Sequence, residues 1–164
     1  MELTQQTLKS VLAYDAETGL FRYLSNRGRQ AKKGSIAGYN HEQGYVRIKI
    51  KGVQYYAHRL AWLYVYGEFP QKLLDHINGV TSDNRIANLR LATQAQNMGN
   101  SRKPINNTTG FKGVCFHKQT GKFVAHISMN NKLKSLGYFK TAEDAHKAYV
   151  EAAKRLHGDF ARFD

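Results

Sequence analysis

Apolar residues recur with a period near 3.6 in some stretches of this chain and near 2 in others, and the switches mark its parts. Residues 4–13 carry Leu8, Val11 and Leu12 at helical spacing and predict a short helix. After Gly19 the pattern turns extended. Leu20, Phe21, Arg22, Tyr23 and Leu24 predict a strand that runs into a basic, Gly-containing loop. Residues 45–50 alternate apolar with basic side chains, Lys51-Gly52 supplies a turn, and residues 53–56 return, so a β-hairpin is predicted with Arg47 and Lys49 on one face. Residues 57–67 (AHRLAWLYVYG) read as a buried helix closed by Gly67 and Pro70.

The next stretch, 73–100, is polar and rich in Asp, Asn and His. Asn78-Gly79 marks a tight turn and residues 89–92 a strand. Thr93 with Gln96 three positions on is a capping-box pattern, so a helix starts there and carries Asn97 in its first turn. The order is strand, long loop, strand, helix. Residues 101–109 read as a linker. Beyond them strands are predicted at 111–117, 122–129 and 133–139, joined by turns at Gln119-Thr120-Gly121 and Asn130-Asn131-Lys132. A helix capped by Thr141 follows, with Ala145, Ala148, Tyr149, Ala152, Ala153 and Leu156 as its apolar stripe and Gly158 as its stop. The whole is an α+β chain of two small domains, 1–100 and 110–164, the second a three-stranded antiparallel sheet packed on one helix.

Charge changes this picture. The 164 residues hold 25 Lys plus Arg against 12 Asp plus Glu, a net charge of +13. The excess is +4 over residues 1–50, +2 over 51–100 and +7 over 101–164. Between Ser101 and Lys140 there are 8 basic side chains and no acid, and the acid-free run 20–39 carries Arg22, Arg27, Arg29, Lys32 and Lys33. Uneven excess of this kind implies a polyanionic partner. No apolar run is long enough to cross a bilayer and the N-terminus carries no signal-peptide core, so no membrane partner is expected and a soluble cytoplasmic protein is. The single Cys115 excludes an internal disulfide framework and any four-cysteine structural zinc site.

Asp75, His76, Asn88 and Asn97 are the residues with chemistry to offer. Hydrolysis of a phosphodiester needs a base to activate water and a hard cation to neutralise developing charge. A histidine can supply the first and oxygen ligands the second; Mg²⁺ is commonly held through one or two protein oxygens. In extended chain Asp75 and His76 point to opposite faces, so ligand and base could approach a phosphate from different sides. Taken without context, an Asp-His pair beside Asn-Gly is more often a hydrogen-bonded turn.

The string LDHINGVTSDNRIANLRLAT with Asn97 beyond it, preceded by AHRLAW around His58, resembles the HNH nuclease family, in particular small phage and intron-encoded homing endonucleases with the ββα-metal fold. The resemblance covers about residues 58–100, the expected nuclease core, with the N-terminal β-hairpins before it. It implies that His76 is the general base, that Asp75 and Asn97 bind a divalent cation, and that Asn88 orients His76 through a hydrogen bond. Mg²⁺ is the expected ion, with Mn²⁺ the alternative, and the lack of cysteine pairs excludes the zinc-stapled subtype. His58 is read as a packing or phosphate-contact residue rather than a catalytic one.

The segments FKGVCFHKQTGKFVAHI and SLGYFKTAEDAHKAYVEAAKRLHGDFARF resemble the APETALA-type (ethylene-response-factor) DNA-binding domain, which implies a sheet that lies in the major groove of double-stranded DNA. Lys112 takes a family arginine position, while Cys115, His126 and Ser128 stand where arginine, glutamate and arginine are expected, so the family's base specificity does not transfer. Strand alternation puts Lys122, Val124, His126 and Ser128 on the exposed face, opposite Phe123, Ala125 and Ile127. Arg27, Arg29, Arg47, Lys49, Arg85, Lys112, His117, Lys122, His126, Ser128, Lys132 and Lys134 are the candidate DNA contacts. The expectation is a metal-dependent, homing-type DNA endonuclease anchored by its C-terminal domain, a monomer with a dimer as the alternative. The competing reading is a non-catalytic DNA-binding protein, either a regulator or a degenerate nuclease.

Overall fold

Thr4 begins the first helix by accepting a hydrogen bond from the Thr7 amide, and α1 runs over Gln5–Val11 with Leu8 turned into the core. In the computed structural model, which describes residues 3–29, 31–41, 44–129 and 132–163, this helix stops two residues short of the predicted end. Leu12 is extended (φ −134°, ψ 140°) and opens β1 (Leu12–Tyr14), which pairs antiparallel with β2 (Phe21–Tyr23). The exchange is favourable because Leu12 stays fully buried while its backbone gains a ladder partner in Tyr23.

Three strands follow: β3 (Tyr39–Asn40), which the sequence pattern did not reveal, then β4 (Val46–Ile50) and β5 (Val53–Tyr56). They form one sheet in the order β3-β4-β5. In β4 the alternation holds, with Ile48 and Ile50 buried and Lys49 exposed between them. The helix α2 (Ala57–Tyr66) closes at Gly67 and buries Ala57, Leu60, Ala61 and Leu63 against Leu3, Leu8, Leu12, Phe21 and Ile48. Each such aliphatic side chain contributes about 1.5–3 kcal/mol by leaving water, so α2 is the column on which the N-terminal strands are mounted.

Strands β6 (Leu73–His76) and β7 (Leu89–Ala92) form a two-stranded sheet, and α3 (Gln94–Gly99) comes next in the chain, giving the order strand, strand, helix. The capping box at the start of α3 is present in full: the Thr93 side chain accepts from the Gln96 amide, and the Gln96 side chain accepts from the Thr93 amide.

Compactness divides the chain into Met1–Leu91 and Ala92–Asp164. In the second unit β8 (Val114–His117), β9 (Lys122–Met129) and β10 (Lys132–Phe139) form an antiparallel sheet in the order β10-β9-β8, packed on α4 (Ala142–His157). Val114, Ala125 and Ile127 meet Ala142, Ala145, Tyr149, Ala152 and Ala153 in its core. Gly113 enters β8 with φ +74°, and a Cβ there would stand 2.2 Å from the Tyr149 ring, so the strand meets the helix without a side chain between them. Leu156, expected in the helix stripe, is exposed. Val124, expected on the open face, is buried, because in the central strand it lies between Cys115 and Tyr138 of its two neighbours. The predicted turn at Asn130-Asn131 lies outside the described residues.

Candidate active site

His76 ends β6 with 4% of its surface exposed. Its ring faces His58 edge-on, with centroids 5.1 Å apart, and Tyr45 at 5.9 Å. His58 in turn stacks on Tyr56 at 5.4 Å. His58 belongs to the first turn of α2 and Tyr56 to the end of β5, so the hairpin-to-helix corner builds one wall around His76. Burial lowers the pKa of His76 below its ordinary value, and the Asn84 hydrogen bond and the nearby Asp75 and Asp83 oppose that shift. Burial, with His76 and Arg59 adding to it, takes His58 down to about 3. Both rings are therefore neutral at neutral pH. The buried Nδ1 of His58 has no hydrogen-bond partner among the described residues. Of the two readings of His58, packing is the one its surroundings fit.

Asp75 precedes His76 in the same strand and has different partners, as alternation along a strand requires. Its Oδ2 accepts from Arg90 Nε of β7 at 2.9 Å, and the carboxylate is 5% exposed against 19% for the guanidinium.

The loop 77–88 is where structure and sequence reading part. Asn88, expected to orient His76, bonds elsewhere. Its Oδ1 accepts from the Asn78 amide at 3.0 Å, and its Nδ2 donates to Asn78 Oδ1 at 3.0 Å and to the Asp83 carbonyl at 2.9 Å. Asn88 staples the loop shut. The amide that meets His76 belongs to Asn84, whose Oδ1 lies 3.4 Å from His76 Nε2 and which is 2% exposed. The signal was present in Asp83-Asn84-Arg85: Asp83 and Arg85 pair with each other, bidentate at 2.6 and 2.8 Å, while Asn84 between them turns inward. That ion pair also holds Asp83 down to about 2, and it engages the guanidinium of Arg85, a candidate DNA contact.

Of the other expected residues in this unit, Arg27, Arg29 and Lys49 are exposed. Arg47 is partly covered: its guanidinium lies 4.7 Å from the Tyr56 ring centre and donates to the Tyr56 hydroxyl at 2.7 Å.

In the second unit Asn97 is exposed on α3. Lys122, Lys132 and Lys134 are exposed, and His117, His126 and Ser128 are half-buried in the sheet. The imidazole Nδ1 of His117 lies 3.0 Å from Thr120 Oγ1, and that of His126 lies 3.7 Å from Cys115 Sγ. Lys112 departs from expectation. It precedes β8, is 6% exposed, and its ammonium donates to the carbonyls of Gly99 and Arg162 at 3.0 Å and to that of Ser101. Its ammonium is solvated by carbonyls inside the unit, as a buried cation requires, and it offers DNA no exposed cation.

The donor chemistry fits a hard divalent ion. Among the described residues there is no cluster of three or more His, Cys, Asp or Glu that could hold a metal. A lone buried carboxylate suits an ion that keeps most of its water and phosphate ligands, as Mg²⁺ does.

The HNH endonuclease family matches residues 55–99, and the AP2 domain family matches residues 109–159. The chain belongs to the HNH endonuclease family, the class of DNA-cleaving enzymes, and carries an AP2 domain behind the nuclease segment. It is 31% identical over 108 residues to Protein 3.8 of Escherichia phage T7, covering 65% of this chain and 88% of that protein. It is 29% identical over 153 residues to the AP2-like ethylene-responsive transcription factor CRL5 of Oryza sativa subsp. japonica. That match covers 82% of this chain but only 21% of the plant protein. A solved structure of DNA binding and cleavage by the HNH homing endonuclease I-HmuI aligns over 96% of this chain and 91% of that one, at 20% identity and a TM-score of 0.45. No helix among the described residues is long and apolar enough to cross a membrane.

Proposed function

We propose that this protein hydrolyses phosphodiester bonds in double-stranded DNA with a divalent cation, that His76 is its general base, and that its C-terminal unit anchors it on the duplex. The observation that carries the reading is the buried, neutral imidazole of His76, in the strand position next to a buried carboxylate. A neutral imidazole can accept a proton from water near neutral pH, and the Tyr45, Tyr56 and His58 rings around it exclude competing solvent. Asp75, which is paired with Arg90, is the proposed cation ligand of the first unit; the family resemblance adds the amide oxygen of Asn97. A divalent cation so bound would supply the charge that stabilises the phosphate and the leaving oxygen.

Lys122, Lys132 and Lys134, exposed on β9 and β10, are the proposed phosphate contacts of the anchor. Lysines act there as point charges and carry no base preference of their own. The matched AP2 domain and the +7 excess after residue 101 both support that role. The phage relative supports a mobile-element nuclease at work in a bacterial cytoplasm.

The test is nicking of supercoiled plasmid in Mg²⁺ or Mn²⁺. Cleavage should vanish with EDTA and in His76→Ala, and to fall steeply in Asp75→Ala. Cleavage that survives EDTA or the loss of His76 would refute the mechanism.

A further inference from the structure

The HNH family match begins at residue 55, yet the backbone of Asn84, whose side chain lies beside the catalytic histidine, is held in place by residues 14 and 19. Resting on the reading of His76 as the base, we propose that Asn84 is its positioning residue. Framed by the N-terminal hairpin, Asn84 selects the imidazole tautomer with the proton on Nε2 and so leaves Nδ1 as the nitrogen that takes a proton from water.

The two ends of the Asn84 amide are told apart by their partners. Its nitrogen donates to the Ser82 carbonyl at 3.0 Å, an acceptor that an amide oxygen could not satisfy. The oxygen is therefore the end turned to His76 Nε2, and an amide oxygen only accepts. A neutral imidazole has one N–H, and facing an acceptor that N–H sits on Nε2. The basic lone pair is then on Nδ1.

A tautomer is selected only as firmly as the selecting group is held, and Asn84 is held from three sides. Its carbonyl accepts from the Tyr14 hydroxyl at 2.7 Å. Tyr14 sits at the end of β1 with its ring against Phe21 (4.8 Å) and Tyr64 (5.6 Å), and burial raises its pKa to about 12, so it remains a donor. Gly19, in the turn between β1 and β2, has φ +73°, and a Cβ there would lie 2.4 Å from the Arg85 nitrogen and 2.6 Å from the Asn84 carbonyl carbon. Those are backbone atoms that cannot swing aside, so the turn presses directly on the Asn84-Arg85 peptide. On the third side Asn88 closes the loop through Asn78 and Asp83. None of these contacts needs DNA or a cation to form. The β1–β2 hairpin thus belongs to the catalytic machinery as its frame.

The experiment is ¹⁵N spectroscopy of the imidazoles in the full-length protein, with His76 assigned by its loss in His76→Gln, alongside single-turnover cleavage. In the wild type the neutral His76 ring should carry its proton on Nε2; a proton on Nδ1 overturns the proposal without recourse to any variant. Asn84→Leu should mix the tautomers and lower the cleavage rate at saturating DNA by about 10–100-fold, with KM within about twofold, as losses of orienting partners do. Asn84→Asp keeps an oxygen acceptor and should restore both the tautomer and most of the rate. Tyr14→Phe, which keeps the ring and removes only the donor, should move tautomer and rate in the direction of Asn84→Leu. An unchanged rate and spectrum in Asn84→Leu, or an Asn84→Asp no better than Asn84→Leu, overturns the positioning role. Cleavage indifferent to His76→Ala, with the Nε2–H tautomer still fixed, overturns instead the reading of His76 as the base, and the assignment of Nδ1 falls with it.

Discussion

Asp75 Oδ2 accepts from Arg90 Nε at 2.9 Å, and the two side chains are 5% and 19% exposed. Breaking so covered a pair by removing one partner costs about 3 kcal/mol or more. Arg90→Leu should therefore destabilise the first unit by about that amount, read in urea from the fluorescence of Trp62, the chain's one tryptophan, which lies in α2. If Asp75 is the cation ligand, Mg²⁺ can replace the lost guanidinium. Added Mg²⁺ should then stabilise Arg90→Leu more than it stabilises the wild type. Equal stabilisation of the two proteins would remove Asp75 from the cation site.

His58 makes stability depend on pH. The unfolded chain binds a proton at this residue near pH 6.5, whereas burial holds the folded value at about 3. Below pH 6.5 the unfolded state therefore binds more protons. The stability that the neutral ring contributes is complete above 6.5 and is lost as pH falls toward 3. His58→Phe keeps an aromatic ring against Tyr45, Tyr56 and His76 and cannot titrate. Between about pH 7 and pH 5 the wild-type first unit should lose about 2 kcal/mol more than His58→Phe, by the same fluorescence readout. Parallel pH profiles would show that His58 is charged in the fold.

What the sequence made legible was whatever a local pattern controls. Ile48 and Ile50 betrayed β4 by alternation, Thr93 and Gln96 set the start of α3 by their spacing, and Ala145, Tyr149 and Ala152 marked the inner face of α4. Leu12 was misplaced because an apolar residue after a helix fits either the next turn or a strand, and only its partner Tyr23, eleven positions on, decides. Lys112 and Asn84 failed for a related reason. A lysine beside a strand looks solvated until the carbonyls of Gly99, Ser101 and Arg162 converge on it. An Asn in a polar loop is one among several until Tyr14, seventy positions away, fixes its carbonyl. Asp75 and His76 could be proposed from the sequence; which amide meets which ring could not.

Lys112 now carries a prediction opposite to the one its charge suggested. Lys112→Met keeps the length of the chain and removes the ammonium donor from the carbonyls of Gly99, Ser101 and Arg162, at about 1–3 kcal/mol for a buried group so stranded. The second unit should lose about 1–3 kcal/mol, visible as faster hydrogen exchange along α4, the helix against which β8 is packed. A Lys112→Met protein as stable as the wild type, or one whose only defect is in DNA affinity, would place the ammonium at the surface.

Lys122, Lys132 and Lys134 are exposed and should behave in the reverse way. Each phosphate neutralised contributes about 0.9 to the slope of log K against log salt, through release of condensed counterions. Changing all three to Ala should lower that slope by about 3 while leaving the unfolding of the second unit almost untouched, since no buried group depends on them. Arg85→Ala should change it less, because that guanidinium is already paired bidentate with Asp83. Binding measured across a salt series on a duplex with no chosen sequence separates these cases, since phosphate contacts act on any sequence. A slope unchanged in the triple variant would mean that these three lysines are not where the backbone lies, and would move the anchor to the other basic run, around Arg27 and Arg29.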